Sequence, residues 1–217
     1  MTAPQGLLEN NSTEAPDTIN ILHRFNVLQE IALGLLRRAS PIPLGSPISL
    51  YVNAVFWLFG VSMASAFLLA TQAAGSLWGG FTFLALYHAN WFEMNRVWTA
   101  PVLRENWSIP FFTIQLQLLS ARLAQPVNRR ALFETLPEML PVVVATVACL
   151  VTWQFAHWLM ASQLIAFHIL YGMGYLSPKA ALQLAGMHGV SFHIGAFLTQ
   201  IRAHLNASSC HSNANST

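Results

Sequence analysis

Residues 48–70 read ISLYVNAVFWLFGVSMASAFLLA, an apolar run without a charged side chain. A helix of about 20 such residues is long enough to cross the hydrocarbon core of a bilayer. Small side chains at four-residue spacing would let a neighbouring helix approach one face of it closely. These small residues are Ser62, Ala66, Ala70 and Ala74. The run therefore predicts a transmembrane helix with a small-residue packing face.

The composition extends this prediction to most of the chain. Of its 217 residues, 54% are hydrophobic and 8% are charged, whereas an ordinary soluble domain is about a quarter charged. We therefore predict an all-α, polytopic integral membrane protein, a helical bundle with about six membrane helices and a range of five to seven. The further predicted membrane helices cover residues 77–92, 107–121, 136–152, 157–176 and 181–201.

Polar segments flank this region and give three predicted parts. Residues 1–47 form an N-terminal segment, residues 48–201 the transmembrane region, and residues 202–217 a polar, disordered tail. Within the first part, residues 18–39 place apolar side chains on one helical face, which is typical of a helix lying at a membrane surface. That face comprises Ile21, Phe25, Leu28, Ile31, Leu35 and Leu36. Residues 1–20 lack the apolar core of a signal peptide.

Residues 88–106, HANWFEMNRVWTAPVLREN, concentrate charge between two apolar segments. Ionisable groups at a bilayer edge are costly and usually functional. Glu93, Arg96, Arg104 and Glu105 pair two arginines with two carboxylates, which indicates a bound anion, most simply a phosphate. The alternative is a structural pair of Glu93 and Arg96 at a helix end. The two tryptophans of this region, at 98 and 107, are expected to be interfacial belt residues.

Other kinds of site have weaker support. A net charge of +2 gives no reason to expect a nucleic-acid partner. Among the histidines, His188 and His193 are five residues apart and poorly placed for one helical face. We therefore expect no metal site, and interpret the histidines as buried, hydrogen-bonded residues; they are His157, His168, His188 and His193.

The charges leave the orientation in the membrane open. With six helices both termini share a side, which carries six arginines against four basic residues opposite, and an excess would mark the cytoplasm. If Arg96 and Arg104 are set aside as functional, each side carries four. Glycosylation sequons on the terminal side favour a lumen instead. They begin at Asn10, Asn11, Asn106, Asn206 and Asn215.

Four blocks of this sequence occur in the same order in a known family. Residues 13–26 match T-E-x-P-x-x-I-N-x-L-x-R-F-N, and residues 51–60, YVNAVFWLFG, follow at the start of a span. Residues 93–105, EMNRVWTAPVLRE, and 153–163, WQFAHWLMASQ, complete the set. The chain resembles the protein C-mannosyltransferases, the dumpy-nineteen-like glycosyltransferases of the GT-C superfamily.

The resemblance implies a function for the charged segment. Members transfer mannose from dolichyl-phosphate mannose to C2 of a tryptophan indole, in W-x-x-W sequences of secretory polypeptides, without a metal or other cofactor. They act in the endoplasmic reticulum membrane, so residues 1–47 and the charged segment would be luminal; the inner nuclear membrane is the alternative location. By position, Arg96 would contact the donor phosphate and Arg104 would assist. Glu93 and Glu105 would support the arginines, and membrane lipid would surround the helices.

The chain also departs from the family pattern. Asn90-Trp91-Phe92-Glu93 replaces the usual N-H-G-E, and members are much longer. The resemblance implies an N- and C-terminally truncated or divergent member that begins downstream of the family's catalytic acid, so no catalytic residue is assigned. Two alternatives to an active transferase are a catalytically inactive scaffold or binding protein of the same family, and an unrelated small membrane carrier.

Overall fold

The computed structural model describes residues 28–41, 44–90, 96–101, 103–124 and 136–214, with the side chains of 96, 136–138 and 200–214 left out. Within these residues the chain forms helices and no strand, which confirms the all-α prediction. The helices are α1 (Leu28–Ala39), α2 (Pro47–Ala74), α3 (Leu77–Ala89), α4 (Arg96–Thr99), α5 (Glu105–Leu123), α6 (Leu136–Thr152), α7 (Ala156–Gly172) and α8 (Pro178–Ala214).

The ends of α2 show why the long apolar helix begins and stops where it does. Ser46 precedes it in an extended conformation, and its hydroxyl accepts a hydrogen bond from the Ser49 amide at 3.2 Å. Pro47 follows at the first helical position, where its missing N–H costs nothing. At the other end Gly75 adopts φ 64°, the left-handed conformation that closes a helix and that glycine adopts without strain.

Every predicted membrane segment overlaps a helix, with differences at the ends. The helix at 48–70 is longer, α3 ends at Ala89 before the predicted residue 92, and α7 ends at Gly172 before the predicted residue 176. The segment predicted at 107–121 is longer at both ends, in α5. The segment predicted at 181–201 is part of α8, which continues to Ala214 through most of the predicted polar tail. No proline follows Pro178 in the chain, so the sequence offers no strong signal to end α8 earlier.

In length and composition, α2 is the one described helix suited to cross a membrane, whereas Met139–Thr152 is apolar but shorter. The number of membrane helices and the three-part division therefore stay predictions.

Long helices that follow one another in the chain point in opposite directions from α5 to α7, and α2 has the same direction as α5. The rings of Tyr51 and Trp107, near the first residues of α2 and α5, have centroids 5.5 Å apart, so these two helices run in parallel. Ser108 at the start of α5 donates to the Cys149 carbonyl near the end of α6 at 3.3 Å, so α5 and α6 are antiparallel. Met160, near the start of α7, packs with Cys149 in turn. This alternation is what a chain crossing a bilayer repeatedly would require.

Neighbouring helices pack in the order α3, α2, α5, α6, α8, α7, and α1 lies on α2. The α2–α3 contact uses Ala70 and Ala74 of the predicted small-residue face. A Cβ on Gly79 would collide with Ala74 and with the Ala70 carbonyl oxygen, and a Cβ on Gly80 would collide with Phe67 and with the hydroxyl of Thr71. The two glycines therefore allow the close approach of these helices.

A buried polar cluster joins the other side of the bundle. Gln115 of α5 and Gln163 of α7 exchange side-chain hydrogen bonds of 2.9 and 3.2 Å. Nε2 of His188, on α8, lies 2.9 Å from Oε1 of Gln163, and its Nδ1 lies 3.0 Å from the Leu184 carbonyl oxygen. The side-chain amide of Gln163 thus joins α5, α7 and α8 by hydrogen bonds. Buried polar groups need such partners.

Candidate functional site

Helix α1 lies across the start of α2 with a polar residue turned inward. Gln29 is buried, and Leu33 packs against the Val55–Trp107 core of α2 and α5. The predicted apolar face points outward instead, since Ile31, Leu35 and Leu36 are exposed. Outward apolar side chains suit a helix that rests on a membrane surface. Residues 18–27 of the predicted amphipathic helix lie outside the described residues.

An ion pair joins α1 to the start of α5. Nε of Arg104 lies 4.0 Å from Oε1 of Glu30, and their side chains are 30% and 40% exposed. Arg104 is the cap residue of α5, and its carbonyl oxygen accepts hydrogen bonds from the amides of Trp107 (3.0 Å) and Ser108 (3.2 Å). The backbone of Arg104 is therefore fixed by the helix, whereas the carboxylate attracts its guanidinium electrostatically at a distance longer than a hydrogen bond.

Aromatic rings form the floor beneath this pair. Trp107 packs with Tyr51 and Val55 and is 8% exposed. The expectation that it is a belt residue is wrong, because it faces the protein interior. Trp98, in α4, is exposed and its ring contacts Phe56 at a centroid distance of 4.7 Å, which agrees better with an interfacial position.

Asn106 fixes the turn that leads into α5. Its Nδ2 donates to the carbonyl oxygen of Ala100 at 2.7 Å, and the residue is 3% exposed. The amide nitrogen that a glycan would need is therefore buried and occupied in a hydrogen bond. The Asn106 sequon consequently gives no support to a luminal orientation; the other four sequons lie where no side chain is described.

A cleft of about 970 Å³ opens between α1 and the start of α2, next to this pair. Glu30, Arg37 and Arg38 of α1 supply its charges, and Tyr51 is part of its wall. A space of this size is at the upper end of the range for ligand pockets. The arrangement can hold an anionic group among arginines while apolar side chains contact the rest of a ligand.

Burial changes the protonation of the acidic residue here. Desolvation raises the pKa of Glu30 above its usual 4.5, although a backbone hydrogen bond and the charge of Arg104 both act to lower it. Burial removes water that would stabilise the charged carboxylate, and the positive charge of Arg104 makes up part of that loss. Its side chain is 40% exposed, so solvent screens the pair.

The structure describes the side chains of two of the four predicted site residues, Arg104 and Glu105. Arg104 meets Glu30, a partner that sequence reasoning missed. Glu105 is the half-buried first residue of α5. Glu93 lies outside the described residues, and Arg96 opens α4 with a side chain that is not described. The spacing of Glu30 in the sequence could have pointed to it. It lies one turn before Leu33 and two turns before Arg37, on the same face of α1.

The histidine interpretation holds in full for one residue and in part for His157, which is half-buried with Nδ1 3.3 Å from the Gln154 carbonyl oxygen. His188 is fully buried and hydrogen-bonded, as predicted, whereas His168 and His193 are exposed and that expectation is wrong for them. Nδ1 of His168 lies 2.8 Å from the Leu164 carbonyl oxygen of its own helix. Among the described residues, no group of three His, Cys, Asp or Glu side chains could hold a metal ion.

The fold and the cleft define an all-α protein of apolar helices with an arginine-bearing polar site at one end of the bundle. Its family follows from the sequence as a whole. The Dpy19 model, described as Q-cell neuroblast polarisation, matches residues 2–212, so the chain belongs to the Dpy19 family. The resemblance read from the four sequence blocks is thereby confirmed.

Relatives in this family are named as mannosyltransferases. The mouse protein C-mannosyl-transferase DPY19L1 is 28% identical over 213 residues, 85% of this chain and 28% of the relative. The C. elegans C-mannosyltransferase dpy-19 is 24% identical over 221 residues, 89% of this chain and 32% of the relative. The human probable C-mannosyltransferase DPY19L2 is 25% identical, across 88% of this chain and 28% of the relative. The chain spans about a third of these proteins or less.

Proposed function

We propose that this chain binds the phosphate of dolichyl-phosphate mannose as part of a membrane C-mannosyltransferase. The observation that carries the proposal is the Glu30–Arg104 ion pair, which presents an arginine at the head of α5 beside a cleft at the start of α2. The names of the relatives supply the reaction and the sugar. Arg96 is the second proposed phosphate ligand, with Glu93 and Glu105 as supporting residues.

In this proposal the arginine acts on the leaving group. Mannose transfer forms a bond from the sugar C1 to indole C2, breaks the bond from C1 to the phosphate oxygen, and releases the indole C2 proton. Negative charge develops on the departing dolichyl phosphate. A guanidinium whose backbone is fixed at the start of α5 stabilises that charge with little reorganisation during the reaction. Neither a metal nor another cofactor takes part in the proposed step.

The proposed acceptor is a tryptophan in a W-x-x-W sequence of a secretory polypeptide. The proposed location is the endoplasmic reticulum membrane, with the inner nuclear membrane as the alternative. The apolar outward face of α1 and the length of α2 support a membrane setting. We further propose that the donor enters from the lipid at the head of α5, beside Arg104, while its sugar stays in the aqueous phase.

Binding of the donor to this chain tests the proposal directly. The full chain in lipid nanodiscs should bind dolichyl-phosphate mannose, and Arg104→Ala should weaken binding by roughly tenfold to a hundredfold, the effect of losing one charge-assisted hydrogen bond. Arg122→Ala is the matched control, because Arg122 lies about 27 Å further along the same helix. Equal affinity of wild type and Arg104→Ala, with both variants folded, would refute the role.

Transfer is a separate measurement. Co-expression with a W-x-x-W acceptor, followed by mass spectrometry of the tryptophan, shows whether the chain is active. Donor binding without mannosylation would favour the inactive binding protein over the enzyme. Substrate flux in proteoliposomes without donor binding would favour the carrier instead.

A further inference from the structure

We propose a second ligand site in the cleft between α1 and α2, for the headgroup of an anionic phospholipid that is distinct from the sugar donor. The charges that line the cleft are one carboxylate, Glu30, and two guanidinium groups, Arg37 and Arg38. Glu30 is already next to Arg104. The arginine pair at the end of α1 therefore remains as the positive part of the cleft.

The position of the arginines on α1 matches the depth of a lipid headgroup. Arg37 and Arg38 occupy the last turn of α1, directly after the exposed apolar residues Leu35 and Leu36. Apolar side chains of an interfacial helix enter the upper acyl region, whereas arginines beside them reach the phosphates. Arginine is well suited to phosphate because its planar fork can donate two hydrogen bonds at once.

The remaining walls of the cleft suit a lipid rather than a free phosphate. Leu44, Ile48 and Leu50 line it beside Tyr51, and Ile48 is exposed. These side chains lie at the start of α2, the helix with the length and composition of a membrane span. A phosphate held by the arginines would thus lie at the head of an apolar wall along which acyl chains can lie. Basic pockets beside membrane helices bind anionic headgroups in this way.

Gly34 provides a way to test the space without changing charge. It lines the cleft between Glu30 and Arg37, and a Cβ built on it meets nothing within 4 Å. Gly34→Ala is therefore accommodated and should favour the helix. Gly34→Phe would place a large ring in the cleft and exclude a headgroup while both arginines remain.

The experiment is lipid retention by the full chain, measured by native mass spectrometry after purification in mild detergent with phosphatidylglycerol or phosphatidylcholine. Wild type should retain one phosphatidylglycerol in preference to phosphatidylcholine. The double variant Arg37→Gln/Arg38→Gln should reduce this retention roughly tenfold or more. Arg122→Gln/Lys179→Gln removes the same charge elsewhere and should retain the lipid. Circular dichroism should show equal helix content in all variants.

Three results would overturn the proposal. Equal loss in both double variants would show non-specific attraction, and full retention by Gly34→Phe would place the lipid elsewhere. Displacement of the lipid by inorganic phosphate at millimolar concentration would show a phosphate site without lipid recognition. Arg104→Ala should retain phosphatidylglycerol even where it loses the sugar donor, so the failure of one site is distinguishable from the failure of the other.

Discussion

The Glu30 carboxylate lies 4.0 Å from Nε of Arg104, so an acidic residue of the first described helix forms an ion pair with the arginine that caps α5. The sequence predicted an anion site from charges within residues 93–105. The structure adds a contribution from α1, far away in the chain. The backbone of this arginine is therefore fixed by the helix it caps, and its charge is attracted by a carboxylate on a different helix.

The raised pKa of Glu30 predicts a pH dependence of stability. Between the ordinary value of 4.5 and the higher folded value, the folded state holds more protons than the unfolded state, so the contribution of Glu30 to stability falls as pH rises. Thermal unfolding of wild type and Glu30→Gln in detergent, from about pH 4 to pH 7, measures this. The stability of wild type relative to the variant should decline across that interval. A relative stability that grows with pH would contradict the assignment.

Gly79 and Gly80 should be intolerant of any side chain. A Cβ at either position would overlap α2, and at Gly79 one of the overlapping atoms is the backbone oxygen of Ala70, which cannot move aside freely. We expect Gly79→Ala and Gly80→Ala each to lower the free energy of unfolding by about 1–3 kcal/mol. Gly186→Ala is the control, since a Cβ there meets nothing within 4 Å. Thermal unfolding in detergent should separate the first two variants from the third.

The polar cluster should behave as a coupled unit. Gln163→Leu leaves Gln115 and His188 without their shared partner in the interior and should cost about 1–3 kcal/mol. The double variant Gln115→Leu/Gln163→Leu should cost less than the sum of the single changes, with a coupling of about 0.5–2 kcal/mol. Gln154→Leu, at an exposed position, should be nearly neutral. Strict additivity in the double-mutant cycle would show that the amides do not interact.

Asn106 should remain without a glycan although it begins a sequon. Its amide is buried and bound to Ala100. Mass spectrometry of the protein from eukaryotic cells should find the unmodified asparagine. Asn106→Asp cannot donate to that carbonyl oxygen and should destabilise the fold by about 1–3 kcal/mol without changing electrophoretic mobility. A glycan on Asn106 in folded protein would show that the turn opens far more than this geometry implies.

The helices could be predicted from sequence because each leaves a local signal. Apolar runs located α2, α3 and α6 to within a few residues, and Ala70 and Ala74 of the predicted small-residue face do meet α3. Capping residues such as Ser46 and Gly75 mark the ends for the same reason, since a helix end depends on its neighbours in the chain.

The pairings could not be predicted, because they depend on how helices pack. Gln29 and Glu30 occupy adjacent positions on α1, yet Gln29 is buried and Glu30 is partly exposed beside Arg104. Similarly, Trp107 and Trp98 flank the same turn and have opposite environments. Which side of a short helix faces the bundle is a tertiary property that periodicity leaves undetermined when both sides carry apolar residues.

The buried, hydrogen-bonded thiol of Cys149 can report how often this bundle opens. Its sulfur lies 3.0 Å from the Ser108 hydroxyl oxygen and is sealed between α5, α6 and α7. A maleimide can react only when the helices packed around Cys149 separate, at the end of the bundle where Arg104 lies. With Cys210 replaced by serine, the alkylation rate therefore counts opening events at that end. If a bound ligand holds this end closed, alkylation becomes slower. The alkylation rate would then measure how much of the protein has ligand bound, without a label on the ligand.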